Sequence, residues 1–200
     1  MSTYARIRTV SKWGVVPVSL MISGAVVSQS SYSAFTATTD NPTSNWTAGT
    51  VVLSDDDSNT ALFTAANLKP GSTGTKCIVV TSTGSLASTV KLYATSYSTT
   101  NALGTYLDMV IDEGTGGTFA TSGPTSCTGF TFGANDFTGT LAALATTKTN
   151  FATGVSSWAP TGSGSESKTF RVTYTVNGSI PNTAQAGTAA AGLTWEAQNS

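Results

Sequence analysis

At 200 residues and formal charge −1, the chain has room for one domain once a leader is set aside, and its 10% of charged residues falls far below the usual level of about 25%. All ten acids but only six of the nine bases lie beyond residue 34, so that part carries no clustered Lys and Arg, and the composition weighs against nucleic-acid binding. Aromatics make up 9% of the chain at strand-like spacing, which sets it apart from disordered sequences of low hydrophobicity and high net charge.

The first 34 residues read as a helical signal peptide. Arg6, Arg8 and Lys12 give a positive start, Trp13 to Val27 an apolar run, and Ser30-Ser31-Tyr32-Ser33-Ala34 a polar stretch of small residues interrupted by Tyr32. Cutting after Ala34 makes Phe35 the new N-terminus; cutting one residue earlier, with Ser31 and Ser33 flanking, is the alternative. A retained membrane anchor wants roughly 20 apolar residues, and this run has about 15, broken by Pro17, Ser19, Ser23 and Gly24. The expected outcome is export by a signal peptidase, with no stable membrane span afterwards and a secreted or cell-surface location.

Residues 35–200 read as one all-β domain. Phe35, Thr36, Ala37, Thr38 and Thr39 form a short extended segment before the turn formers Asp40-Asn41-Pro42. Thr50 to Leu53 predicts a strand ending at Ser54 to Asn59, Ala61-Leu62-Phe63 resumes it, and Pro70-Gly71 closes a turn in which Gly71 takes positive φ. Thr75 to Thr83 is a β-branched run, while Thr89 to Tyr97 and Tyr106 to Asp112 alternate with period two, placing Leu107, Met109 and Ile111 inward. Cys127 to Phe132 and Phe137 to Thr140 are weaker strands, and Leu141 to Ala145 is a helical turn. Lys168 to Val176 carries Phe170, Val172, Tyr174 and Val176 on one face, and Ala189 to Ala197 is the last strand. About eight short antiparallel strands separated by Gly, Ser, Asn and Pro predict a β-sandwich or jelly roll.

Two cysteines in an exported chain favour a Cys77–Cys127 disulfide, with a buried small thiol at Cys77 as the alternative. The chain contains no histidine, which removes Ser-His-Asp and Cys-His catalysis and the two-histidine zinc-protease motif. Asp108, Asp112, Glu113, Asp136, Glu166 and Glu196 leave carboxylate-pair chemistry open, but no spacing singles out a pair. Asp55-Asp56-Asp57 lacks the alternating ligands and closing Glu of a calcium loop and reads as a solvated turn. No cofactor, metal or catalytic residue is expected.

The order of several motifs resembles the TasA/camelysin family of exported bacterial proteins. These are the leader running into Ala34-Phe35, then Asn45-Trp46-Thr47-Ala48-Gly49-Thr50-Val51-Val52-Leu53-Ser54, Asn67-Leu68-Lys69-Pro70-Gly71, Ser82-Thr83-Gly84-Ser85-Leu86 and Leu193-Thr194-Trp195-Glu196-Ala197-Gln198. The acidic turn and the two cysteines are similar to its actinobacterial branch. The resemblance implies a jelly-roll domain released by a dedicated signal peptidase and, in some members, biofilm-matrix fibres in which the N-terminal segment, here Phe35 to Thr39, completes the next subunit's sheet. The same segment could instead pair within its own domain. The expected role is therefore a secreted structural subunit that forms a homopolymer. A monomeric extracellular binding module is the first alternative, and a camelysin-type metalloendopeptidase, disfavoured by the missing histidines, the second.

Overall fold

The computed structural model describes residues 48–58, 60–119 and 127–200. The expected signal peptide, the cut between Ala34 and Phe35, and the segment Phe35 to Thr39 lie outside these residues. Seven strands occur among the described ones: β1 (Leu53–Asp55), β2 (Thr73–Ser82), β3 (Ser88–Thr99), β4 (Leu107–Thr115), β5 (Thr131–Thr140), β6 (Glu166–Val176) and β7 (Ala189–Asn199). One helix, α1 (Leu141–Thr147), follows β5 directly.

The strands form an all-β sandwich of two antiparallel sheets, a five-stranded one in the order β1-β2-β6-β4-β5 and a two-stranded one of β3 and β7. Period-two alternation decides which side chains meet between them. From the larger sheet come Ile78, Val80, Met109, Ile111, Phe170, Val172 and Val176, and from β3 come Val90, Leu92 and Ala94, all buried. Leu193 and Trp195 of β7 pack against this core while remaining partly exposed. The Phe170 and Trp195 rings lie 5.4 Å apart between the sheets, within the range of favourable aromatic pairs.

Several sequence expectations hold, and others need correcting. Leu107, Met109 and Ile111 are buried on one face of β4, and Gly71 has φ 79° in its turn. Thr50 to Leu53 is not a strand as a whole: β1 begins only at Leu53 and runs to Asp55. Before it, the Thr50 and Val52 carbonyls accept isolated bonds from Ser85 and Thr83, too few for a ladder. Ala61 to Phe63 forms no strand, because its apolar side chains pack onto the core from a loop: Phe63 meets Tyr174 edge-on with centroids 5.0 Å apart. Of the weak strand expected over Cys127 to Phe132, residues 127–130 form a turn and only Thr131 and Phe132 are extended; they belong with Phe137 to Thr140 to one strand, β5, kept continuous by bulges opposite β4.

Helix α1 starts at a capped junction. The Thr140 hydroxyl accepts the Ala143 amide at 3.1 Å, satisfying one of the free donors of the first turn. Leu141 and Leu144, three residues apart, then face the core. Beyond α1, residues 148–160 run without regular structure along the β3 edge away from β7. Ala94, Leu92, Val90 and Ser88 donate to Lys148, Val155, Trp158 and Pro160, so one edge of the small sheet is covered by its own chain. Gly49–Ser200 forms one compact unit.

Candidate functional site

Three places concentrate features that packing alone does not require. The first lies on the inner side of β7. Among the described residues, β7 has no ladder partner opposite β3. Its inward side chains, with Leu62, Phe63, Leu68 and Tyr174, line a mostly apolar cavity of about 1110 Å³. No bulge lies in β7 itself: where the β3–β7 register shifts, Ser96 and Tyr97 of β3 face the single Ala191. Trp195 lines the cavity, and its buried Nε1–H has no acceptor. A buried donor without a partner is costly and rare in folded proteins, so this indole marks where a carbonyl would be welcome.

The second place is the outer face of the larger sheet. Cys77 and Cys127 are disulfide-bonded with Cα atoms 5.1 Å apart. Cys77 is fully buried and pairs in register with Arg171 of β6, which in turn pairs with Asp112 of β4. The Arg171 guanidinium donates to Asp112 Oδ2 at 2.7 and 3.2 Å and stacks 4.6 Å from the centre of the Phe130 ring. Asn135 of β5 donates to the other oxygen, Asp112 Oδ1, at 2.9 Å. Every partner of this buried carboxylate is thus supplied by a neighbouring strand.

The third place is on the opposite face of β4, one residue on. Glu113 is 5% exposed and accepts from Ser156 Oγ at 2.8 Å, Ser157 Oγ at 2.7 Å and the Ser157 amide at 3.2 Å. Burial alone would raise its pKa, but those bonds and the charge of Lys168 outweigh it and hold the carboxyl below the usual glutamate value. Beside it, Asp136 is the extra residue of a bulge, since Ile111 pairs with Phe137 and Asp112 with Asn135. The bulge leaves Asp136 without a partner residue on β4, and its buried Oδ2 accepts no hydrogen bond. Burial, then the neighbouring Glu113 and Asp112 charges, push Asp136 up to about 7.

Of the six carboxylates left open by the sequence, Glu113 and Asp136 fall in this place, Asp112 lies on the opposite face of β4 with Arg171, and three stay apart. Asp108 accepts from Asn177, Glu166 from Thr161 and Gly162, and Glu196 from Tyr93 and Gln198. In the acidic turn, Asp56 accepts the Val79 and Phe119 amides at 2.8 and 2.9 Å; its oxygens fasten loop to strand. Among the described residues, no group of three or more His, Cys, Asp or Glu is arranged to hold a metal ion, and no helix is long and apolar enough to cross a membrane.

Sequence reading missed Ser156, Ser157 and the β7 cavity. The serines lie over forty residues from Glu113 along the chain, with no local pattern to link them. The cavity had a faint signal in Leu62, Phe63 and Leu68, apolar residues of no regular period ahead of a Pro-Gly turn. No family model matches the chain, and no curated protein matches it significantly.

Proposed function

We propose that this chain is an exported structural subunit that self-associates by strand donation, Phe35 to Thr39 of one copy adding to the free edge of β7 in the next. The observation that carries the reading is the pairing of that edge with the apolar cavity beneath it, since strand addition draws affinity from main-chain bonds and specificity from pockets for alternate side chains. In an extended segment, Phe35 and Ala37 fall on one face and Thr36 and Thr38 on the other, so the apolar pair would enter the cavity and the threonines would face solvent. A carbonyl of the added strand would accept the unpartnered Trp195 indole N–H. The resemblance of the motif order to the TasA/camelysin family points the same way, and the disulfide, with the expected export leader, is compatible with a role outside the cytoplasm.

The test uses mature protein beginning at Phe35, alongside a form lacking Phe35 to Thr39, followed by light scattering over a concentration series and by negative-stain microscopy. The expected result is filaments from the first and monomers from the second. A mature protein that stays monomeric throughout, or filaments that survive the deletion, would overturn the proposal. The volume and aromatic lining of the cavity favour one second reading, a monomeric module for an elongated apolar ligand. Saturable change in tryptophan fluorescence with a long-chain alkyl probe, in mature protein that does not polymerise, would select it.

A further inference from the structure

We infer that the Val155–Ser156 peptide bond is a self-cleavage site, at which the Ser156 hydroxyl attacks the carbonyl before it, with Glu113 as the base and the Leu92 amide as the donor to the developing oxyanion. The inference is independent of strand donation at β7, which lies on the other edge of the small sheet.

The backbone at Ser156 is strained. Its φ is 88°, in a region that residues with a side chain rarely occupy, and such a conformation persists only where the surroundings impose it. Here they do. Val155 exchanges both main-chain bonds with Leu92 at 2.8 Å, and the Val90 amide donates to the Trp158 carbonyl at 2.9 Å. Lys91 Nζ donates to the Ser156 carbonyl at 2.7 Å, and a side chain at position 154 would meet the Leu92 carbonyl oxygen at 3.0 Å, so Gly154 lets the chain press close to β3. Pinned to β3 on both sides, the segment cannot relax by shifting, whereas breaking the bond frees it.

The groups around Ser156 supply the chemistry. Its Oγ donates to Glu113 Oε2 at 2.8 Å and accepts the Trp158 amide at 3.2 Å, an arrangement that directs the hydroxyl hydrogen to the carboxylate. The other oxygen, Glu113 Oε1, accepts Ser157 Oγ at 2.7 Å, which fixes the orientation of the carboxylate. Burial opposes its charge, but the bonds from Ser157 and Ser156 outweigh burial and keep Glu113 ionised at neutral pH, ready to take a proton. The Val155 carbonyl oxygen already accepts the Leu92 N–H at 2.8 Å, the kind of fixed donor that stabilises a tetrahedral oxyanion. Only Cβ, Cα and N separate the nucleophile from the carbonyl carbon, so rotation about χ1 brings the two together.

The reaction consumes one water. Ser156 Oγ adds to the Val155 carbonyl carbon as its proton passes to Glu113; the C–N bond then breaks, and Glu113 returns the proton to the Ser156 nitrogen. This leaves an ester between Val155 and Ser156 Oγ, with a free amine on Ser156. Water entering beside the exposed Ser157 hydrolyses the ester to a Val155 carboxylate and restores the hydroxyl. The fragments stay together, because β6 and β7 beyond the cut pair with β2, β4 and β3 before it. The disulfide lies wholly before the cut and does not link them.

Mature protein beginning at Phe35, incubated at neutral pH with and without hydroxylamine, then denatured, tests this by intact mass and N-terminal sequencing. The expected products are one fragment ending at Val155 and one beginning at Ser156, with masses that sum to the parent plus one water. Hydroxylamine, by trapping the ester, should turn the Val155 carboxylate into a hydroxamate. Ser156→Ala should yield neither product, and Glu113→Gln should slow cleavage by about a hundredfold. No fragments from wild type after weeks, equal cleavage in wild type and Ser156→Ala, or an undiminished rate in Glu113→Gln would overturn the inference. Should these variants fail to fold, Ser156→Cys decides: cleavage at the same bond, released by a small thiol, upholds it, and a chain that stays intact overturns it.

Discussion

Two long edges that have no outer ladder partner among the described residues, those of β5 and β7, are built in opposite ways. β5, at the end of the larger sheet, is interrupted by bulges at Gly133 and Asp136, and the chain leading into it is fastened to β2 by the Cys77–Cys127 disulfide and to β6 by the Arg171–Phe130 stack. β7, at the end of the smaller sheet, is eleven residues long, has no bulge of its own, and lies over an apolar cavity. Bulges twist an edge away from pairing with other chains, and a straight edge lacks that protection. Among the described residues, the contrast is between an edge that is bulged and fastened and an edge that is straight and backed by an apolar cavity, and the proposed strand donation uses the second.

The largest expected effect comes from removing the covalent fastening on the closed side. Replacing both Cys77 and Cys127 with Ala reopens a loop of 50 residues, which should lower stability by about 4 kcal/mol on the chain-entropy estimate. Urea denaturation of the variant, compared with the oxidised parent, checks this. A loss below about 1 kcal/mol would show that the closed side does not depend on the bond.

A matched pair of truncations sharpens the comparison next. Leu92 is fully buried, whereas Leu193, which pairs with Ala94 two residues along the same ladder, is partly exposed and lines the cavity. Leu92→Ala should cost about 2 to 5 kcal/mol and Leu193→Ala less than half as much, because the cost of lost methylenes scales with the neighbours they touched. Equal losses by denaturation would mean that the β7 side is packed as tightly as the core and would break the contrast.

Arg171→Met follows. It keeps apolar bulk against Phe130 but strips the Asp112 carboxylate, 8% exposed, of its cation partner among the described residues. Asn135 still donates to it, and the arginine side chain is 35% exposed, so solvent screening limits the effect to about 1 to 2 kcal/mol. Thermal melts at low and high salt separate the charge from the packing: the parent should lose part of its advantage as salt rises, and the variant should not.

How much of this was legible in the sequence depends on how local each feature is. Alternation over Tyr106 to Asp112 and Lys168 to Val176 sufficed to name the inner faces of β4 and β6, because period two is a property of the strand itself. The Cys77–Cys127 pair followed from there being only two cysteines. The bulge at Asp136 was hidden: an inserted residue breaks alternation, so Phe137 to Thr140 looked like a strand separate from Cys127 to Phe132. The same insertion places Asp136 beside Glu113, and sequence spacing therefore could not single out that pair. Which strand lacks an outer partner among the described residues depends on sheet order, a non-local property that no window of residues contains.

The smallest expected effect lies where the closed and open sides meet. Thr140 ends β5 and caps α1 through its bond to the Ala143 amide, and the first residue of that helix, Leu141, lines the β7 cavity. Thr140→Ala should lower stability by about 1 kcal/mol, the usual cost of losing a hydroxyl cap, while Thr140→Ser, which keeps the oxygen, should restore most of it. If α1 also fixes the floor of the cavity, the alanine variant should weaken the proposed self-association beyond what its lost stability explains, since a frayed first turn lets Leu141 move. Assembly measured at a temperature where both variants are fully folded separates the two effects. An unchanged critical concentration would confine the helix to the closed side and leave the acceptor edge to β7 and the 61–70 loop alone.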